Sequence, residues 1–265
     1  MSTLDASPRA ASPAPLARRV WARALVVLER PWLFIPFLLV FTSLGLWLDS
    51  LGGLPWQLTL SAIAWVVLIA ACVPLSPLDR ARVFVVVVVA TSAELIFSTW
   101  LGVYDYRLGN LPLFVPAGHG LVYLAGYRFS QTRLARVHPR IIVGTAVVGA
   151  LAWGIVGLTG SLGRVDVAGA IAVAFLVIFL LIGRAPALYA GVFFFVAFLE
   201  IWGTWVSTWY WEPTVPFLGI GNGNPPSGAA AGYVLFDIAA LALAPAALAA
   251  WRYIAGRMAR VRSVT

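Results

Sequence analysis

Lysine is absent from this chain; all 18 basic residues are arginine. There is one cysteine, Cys72, and there are two histidines, His119 and His138. Charged residues make up 11% of the composition against 62% hydrophobic, far from the balance of a water-soluble globular domain. Each scarcity excludes something. A lone cysteine forms no internal disulfide and no cysteine-based metal site. Two histidines, one of them in an arginine-rich loop, leave no multi-histidine iron site and no bis-histidine haem. A carboxylate site completed by His119 is the one metal option left, and neither metal nor cofactor is expected. The phosphate-cradling glycine loop, the serine-nucleophile elbow and the zinc-protease spacing are also missing.

Long apolar runs are what the chain has in quantity. They predict an all-α integral membrane protein with about eight transmembrane helices, at 32–49, 56–76, 83–103, 111–127, 141–159, 167–183, 186–207 and 228–250. Arginine placement sets the orientation. With the N-terminus inside, the outer loops carry only Arg107 and Arg164, and every other arginine falls in an inner segment. The expectation is a multi-pass protein of the cell membrane with both termini cytoplasmic. The net charge of +8 then serves topology and contact with anionic lipid, not nucleic acid. Residues 1–30 form a basic N-terminal segment: 1–15, rich in Ser, Ala and Pro, are expected to be disordered, and 16–30 to form an interfacial helix. Residues 31–250 form the transmembrane domain and 251–265 a basic tail. A cleaved signal peptide is not expected, because the first apolar run starts at Pro31 and fits a first span better.

Two glutamates inside apolar runs head similar stretches. Glu94 is followed by Ser98, Trp100, Tyr104 and Tyr106; Glu200 is followed by Thr204, Trp205, Trp209 and Trp211. Glu94 and Glu200 are offset by 106 residues, as are Ala125-Gly126-Tyr127 and Ala231-Gly232-Tyr233, whereas the aromatic residues match at 105. The pattern predicts a parallel four-plus-four internal repeat. Aromatic residues at membrane interfaces are common, so likeness by composition is the competing reading.

Four ionisable groups lie within the spans: Glu94, His119, Glu200 and Asp237. A central Asp costs about 2.5–3.5 kcal/mol to insert, so such groups are neutral, paired or facing a wet cavity, and mark functional sites by default. Counted from the outer ends of their spans, all four fall near one level and are expected to meet there. Ser98 and Thr204, four residues after each glutamate, share its helical face. They either hydrogen-bond the carboxyls or back-bond to their own helix. His119 is either a packing element or a catalytic group. Pro112, Pro116 and Gly118 predict a broken or re-entrant start to its span. The loop 208–227 is long and apolar and offers the amides of Asn222 and Asn224, so it reads as a lid. In the matching loop, Asp105 and Arg107 are expected to pair.

The run from Glu94 through Gly102, Tyr104, Tyr106, Gly109 and Pro112 to Pro116 resembles membrane-bound carotenoid biosynthesis proteins of the bisanhydrobacterioruberin hydratase type. The resemblance implies a multi-span enzyme adding water across an isoprenoid double bond, or a relative acting on another apolar substrate. Three functions remain open. One is an acid–base enzyme, a hydratase, lyase or isomerase acting on a lipid or isoprenoid, with Glu94, Glu200, Asp237 and His119 as catalytic candidates. The aromatic residues, Ser98, Thr204, Asn222 and Asn224 would then bind substrate. The second is a proton-coupled transporter or lipid-binding protein; the third is a structural subunit fastened by its acids. Membrane lipids and an apolar small molecule are the expected partners, and oligomeric state is not legible.

Overall fold

The computed structural model describes residues 16–262. The expectation of disorder over 1–15 therefore lies outside the described residues, and the 16–30 segment is represented by α1 (Leu16–Glu29). Helices follow at α2 (Pro31–Leu51), α3 (Leu54–Cys72) and α4 (Pro77–Glu94), the last continued by a π-helical turn over Leu95–Trp100. After strand β1 (Tyr104–Tyr106) come α5 (Phe114–Ser130), the short α6 (Arg133–Val137), α7 (Pro139–Leu158), α8 (Val167–Ile182) and α9 (Pro186–Trp205). Strand β2 (Trp209–Trp211) and the long α10 (Ala230–Arg262) complete the chain. Helices thus occupy all eight apolar segments, and six elements are long and apolar enough to cross a membrane: α2, α3, α4 with its π turn, α7, α9 and α10. Of the other two, α8 is apolar but has only 16 residues, and α5 has 17. Of the tail expected over 251–265, the described part to Arg262 continues α10.

Proline opens five of these helices. α2, α3, α4, α7 and α9 each carry one at the first or second position, where the missing N–H has no helical partner to lose. The same logic corrects one expectation. Pro116 falls in the first turn of α5, so α5 runs unbroken through Gly118 and His119.

α5 lies at the centre, packed against α2, α3, α4 and α9, with most of its residues buried. α4 lies along α10, and α7 pairs with α8. Outward faces are apolar: Phe84, Val66, Val148, Ile171 and Ile201 are all exposed, the reverse of a protein surface made for water.

At one end of the bundle the two short strands pair antiparallel, Tyr104 opposite Trp211 and Tyr106 opposite Trp209. Both stretches lie in segments read from sequence as loops. Two polar fastenings hold this end. Arg107 does not pair with Asp105, contrary to expectation. It reaches the carbonyls of Asp49 and Gly52 in the α2–α3 turn, while Asp105 receives the Tyr210 hydroxyl at 3.4 Å. Asp166 caps α8 through the Gly169 amide and also accepts the Gly223 and Ser227 amides and the Ser227 hydroxyl. Loop 212–229 is thereby tied to the start of α8.

Candidate functional site

Each glutamate stands near the end of an apolar helix, and each receives two aromatic donors from the strand that follows it. Tyr104 and Tyr106 both donate their hydroxyls to Oε2 of Glu94, at 2.8 Å each. Trp209 and Trp211 both donate their indole N–H to Oε2 of Glu200, at 3.0 Å each. Residues two apart on a strand point to the same face, so alternate aromatic positions suffice to place both donors on one oxygen. Burial, then the adjacent Glu94 carboxyl, pushes the Tyr104 and Tyr106 hydroxyls well above the ordinary tyrosine range. Both therefore remain protonated donors.

The second oxygens differ. Oε1 of Glu94 lies 2.8 Å from Nε2 of His119. Oε1 of Glu200 has only the Tyr233 hydroxyl, at 3.4 Å. A bond of that length is weak, so this oxygen is the least engaged of the four. Tyr233 also lies against His119, with ring centroids 4.9 Å apart. Nδ1 of His119 is buried without a partner.

Local backbone geometry delivers the strands in matching ways. A left-handed residue stands two positions before each strand: Gly102 with φ +59° and Ser207 with φ 59°. Ten residues separate Glu94 from Tyr104, but only nine separate Glu200 from Trp209. A π-helical turn accommodates an extra residue within a helix, and the π turn after Glu94 occupies that stretch. In the other half, Gly203 gives the Trp209 ring its seat. A Cβ at Gly203 would lie 2.0 Å from that ring.

Both glutamates, their four aromatic donors Tyr104, Tyr106, Trp209 and Trp211, His119 and Tyr233 line one cavity of about 450 Å³. Its remaining wall is mostly aliphatic, from α2, α3, α5, α8 and α10. Asn222 also lines it, holding loop 212–222 closed by donating to the Glu212 carbonyl. Ile63, Phe97 and Leu235 line the cavity and are each about half exposed, so it reaches the apolar outer face of the bundle.

Several expected members are elsewhere. Thr204 back-bonds to the Glu200 and Ile201 carbonyls, and Ser98 makes no bond to Glu94. The carboxyls take their donors from the strands instead. Trp100 and Trp205 are 74% and 72% exposed and point away from the cavity. Asn224 accepts from the Trp211 amide and steadies β2 without lining the cavity. Asp237 is buried but is not part of the wall. The two Ala-Gly-Tyr triplets also occupy unlike places: Tyr127 bonds Asp79 at the start of α4, whereas Tyr233 is at Glu200. Gly232-Tyr233 and Gly118-His119, the latter near the start of α5, both line the cavity. Sequence reasoning missed Tyr233 as a site residue, although its place one turn into an apolar helix after a glycine matched that of His119.

No family model, curated protein or solved structure matches the chain.

Proposed function

We propose that the chain is a multi-pass membrane enzyme that performs acid–base chemistry on the unsaturated end of an apolar lipid or isoprenoid. One observation carries this reading: two carboxyls share an apolar cavity but are solvated unequally. Oε2 of Glu200 is filled by two indole N–H groups, which can only donate. Any proton on Glu200 therefore sits on Oε1, the weakly engaged oxygen. Glu94 accepts from two tyrosines and from His119, the environment of an ionised carboxylate. With Nε2–H directed at Glu94, His119 keeps its lone pair on Nδ1. A carboxylate that fixes an imidazole tautomer and frees its other nitrogen is the logic of a general base.

In hydration, Oε1 of Glu200 gives its proton to one alkene carbon and a carbocation forms at the other. The Trp and Tyr faces stabilise that charge by cation–π attraction. Water adds to the cation while Nδ1 of His119 removes the surplus proton, and Glu200 is reprotonated from solvent before the next turnover. In isomerisation, His119 instead takes a proton from carbon. The cavity volume falls within the range of small-molecule sites, so it encloses one end of a long chain and leaves the remainder along the apolar face past Ile63, Phe97 and Leu235. The resemblance to carotenoid hydratases supports the same substrate class. The reading also takes all eight helices as spans, both termini as cytoplasmic, and the two glutamate units as a parallel repeat with Gly118-His119 matched to Gly232-Tyr233.

The test is the lipid and pigment profile of the host. Glu94→Gln and Glu200→Gln, expressed at wild-type levels, are expected to abolish one product and accumulate its precursor, by liquid chromatography and mass spectrometry. An unchanged profile in both variants overturns the reading.

A further inference from the structure

Asp237 has no role in the site just described, yet it is a carboxyl buried in the middle of an apolar helix. It is 2% exposed, and its Oδ2 has no hydrogen-bond partner. It follows Tyr233 by one helical turn on α10. Across from it on α5, Tyr123 follows His119 by one turn, is fully buried, and has a hydroxyl that is also unpartnered. Tyr123 lies within electrostatic reach of Asp237, Arg82, Asp79 and Tyr127. From α9, Tyr189 also lies within electrostatic reach of Asp237, and Arg184 of the preceding turn lies near Tyr189.

The track continues away from the glutamates. Tyr123 stacks on Tyr127, with ring centroids 6.1 Å apart, and Tyr127 donates to Asp79, which pairs with Arg82. These residues border a second cleft of about 300 Å³, lined by Arg82, Tyr123, Tyr127, Ser130 and residues 185–188. Along α5, Tyr127, Tyr123 and His119 stand one turn apart, and along α10 so do Asp237 and Tyr233, so polar side chains recur from this cleft toward the glutamate cavity. Three of their atoms lack protein partners: the Tyr123 hydroxyl, Asp237 Oδ2 and His119 Nδ1. Buried polar groups without protein partners are where internal water binds.

We propose that Tyr123 and Asp237 mark a file of water molecules joining the Arg82–Tyr127 cleft to the glutamate cavity, with Asp237 as its protonated relay. An ionised carboxylate without a partner would carry a large desolvation cost, so Asp237 holds its proton and offers both a donor and an acceptor to the file. The proposal rests on the acid–base reading of the cavity, and gives it what hydration consumes: one water per turnover, delivered from the end opposite the apolar substrate.

The test needs no substrate. Infrared spectra of the purified protein in lipid are recorded on transfer to heavy water. The Asp237 carboxyl band is assigned by its loss in Asp237→Asn; where that variant does not fold, isotope-labelled aspartate side chains identify the aspartyl bands. The band is expected to shift within minutes of transfer. Tyr123→Phe, which removes a polar anchor, and Ala187→Phe, which fills the cleft, are expected to slow the shift by at least about tenfold, with an unchanged melting temperature as the fold control. A band that stays unshifted for hours, or shifts equally fast in both variants, overturns the water file. An Asp237 that exchanges in a protein whose Glu94→Gln and Glu200→Gln profiles are unchanged would keep the file and remove the enzyme reading.

Discussion

The Glu94 and Glu200 halves share a frame and differ in their donors. Each has a glutamate at a helix end, a left-handed residue two positions before a strand, and two aromatic donors at alternate positions on one carboxylate oxygen. Tyrosine hydroxyls serve one half and indoles the other. A tyrosine can accept as well as donate, but an indole can only donate. The first half ends on a histidine at 2.8 Å and the second on a tyrosine at 3.4 Å. Similar scaffolds with unlike donors can hold two carboxyls in different protonation states within a few side chains of each other, which acid–base chemistry requires and perfect symmetry would forbid.

The comparison breaks most completely at the acids. Glu200→Gln and Glu94→Gln are each expected to lower turnover by about 10²–10⁴-fold, the range for a lost proton-transfer group. Glu200→Asp should recover more activity than Glu94→Asp, because Oε1 of Glu200 has one weak contact at 3.4 Å whereas Oε1 of Glu94 is held by His119 at 2.8 Å. Product yield per milligram of membrane protein measures both.

The donors come next. Tyr104→Phe removes a hydroxyl from a carboxyl read as ionised and is expected to cost about 1.5–3 kcal/mol. Trp211→Phe removes an indole from a carboxyl read as neutral, and should cost nearer about 1 kcal/mol for its hydrogen bond. Melting temperatures in one detergent compare the pair; a larger loss at Trp211 would reverse the assignment of charge. Gly203→Ala is expected to cost about 1–3 kcal/mol by overpacking against Trp209. The position at the same distance from Glu94 is Phe97, so the first half has no such constraint. Smallest is the backbone. Ser207→Gly should stabilise by up to about 1 kcal/mol and Gly102→Ser should destabilise by about as much, because only glycine adopts that conformation freely. Opposite signs in two chemical-denaturation curves would show that the matched turns carry matched strain.

Much of the fold was legible because hydropathy reports it directly. The long apolar runs became helices, and the proline-led starts follow from a missing N–H. The glutamates were legible for a related reason, since burying a carboxyl demands explanation wherever it occurs. Their partners were harder to read. Helical spacing pointed to Ser98 and Thr204, but a hydroxyl on a helix has its own carbonyls within reach, and Thr204 took those. The donors that matter lie 9 to 12 residues beyond each glutamate, on strands whose mutual pairing joins residues about a hundred positions apart, a relation no local period encodes. What the sequence did contain was the i, i+2 spacing of aromatics after each glutamate. Asp237 was misplaced by counting depth from an assumed helix start at 228. α10 begins at Ala230, Tyr233 takes the level of His119, and Asp237 falls one turn beyond.

The three-residue ribbon has a consequence for how the chain is made. Tyr104 and Trp211 pack with ring centroids 4.4 Å apart, yet the ribosome supplies them more than a hundred residues apart. When Glu94 first enters the bilayer it has its own tyrosines but no partner strand, no Glu200 and no Tyr233. The cavity closes only when α9 and α10 insert, so a nascent chain stopped before Trp209 carries an unfinished acid and an unpaired strand edge. Such an edge invites pairing with another chain, which makes assembly of the last two helices the step at which quality control would detect failure.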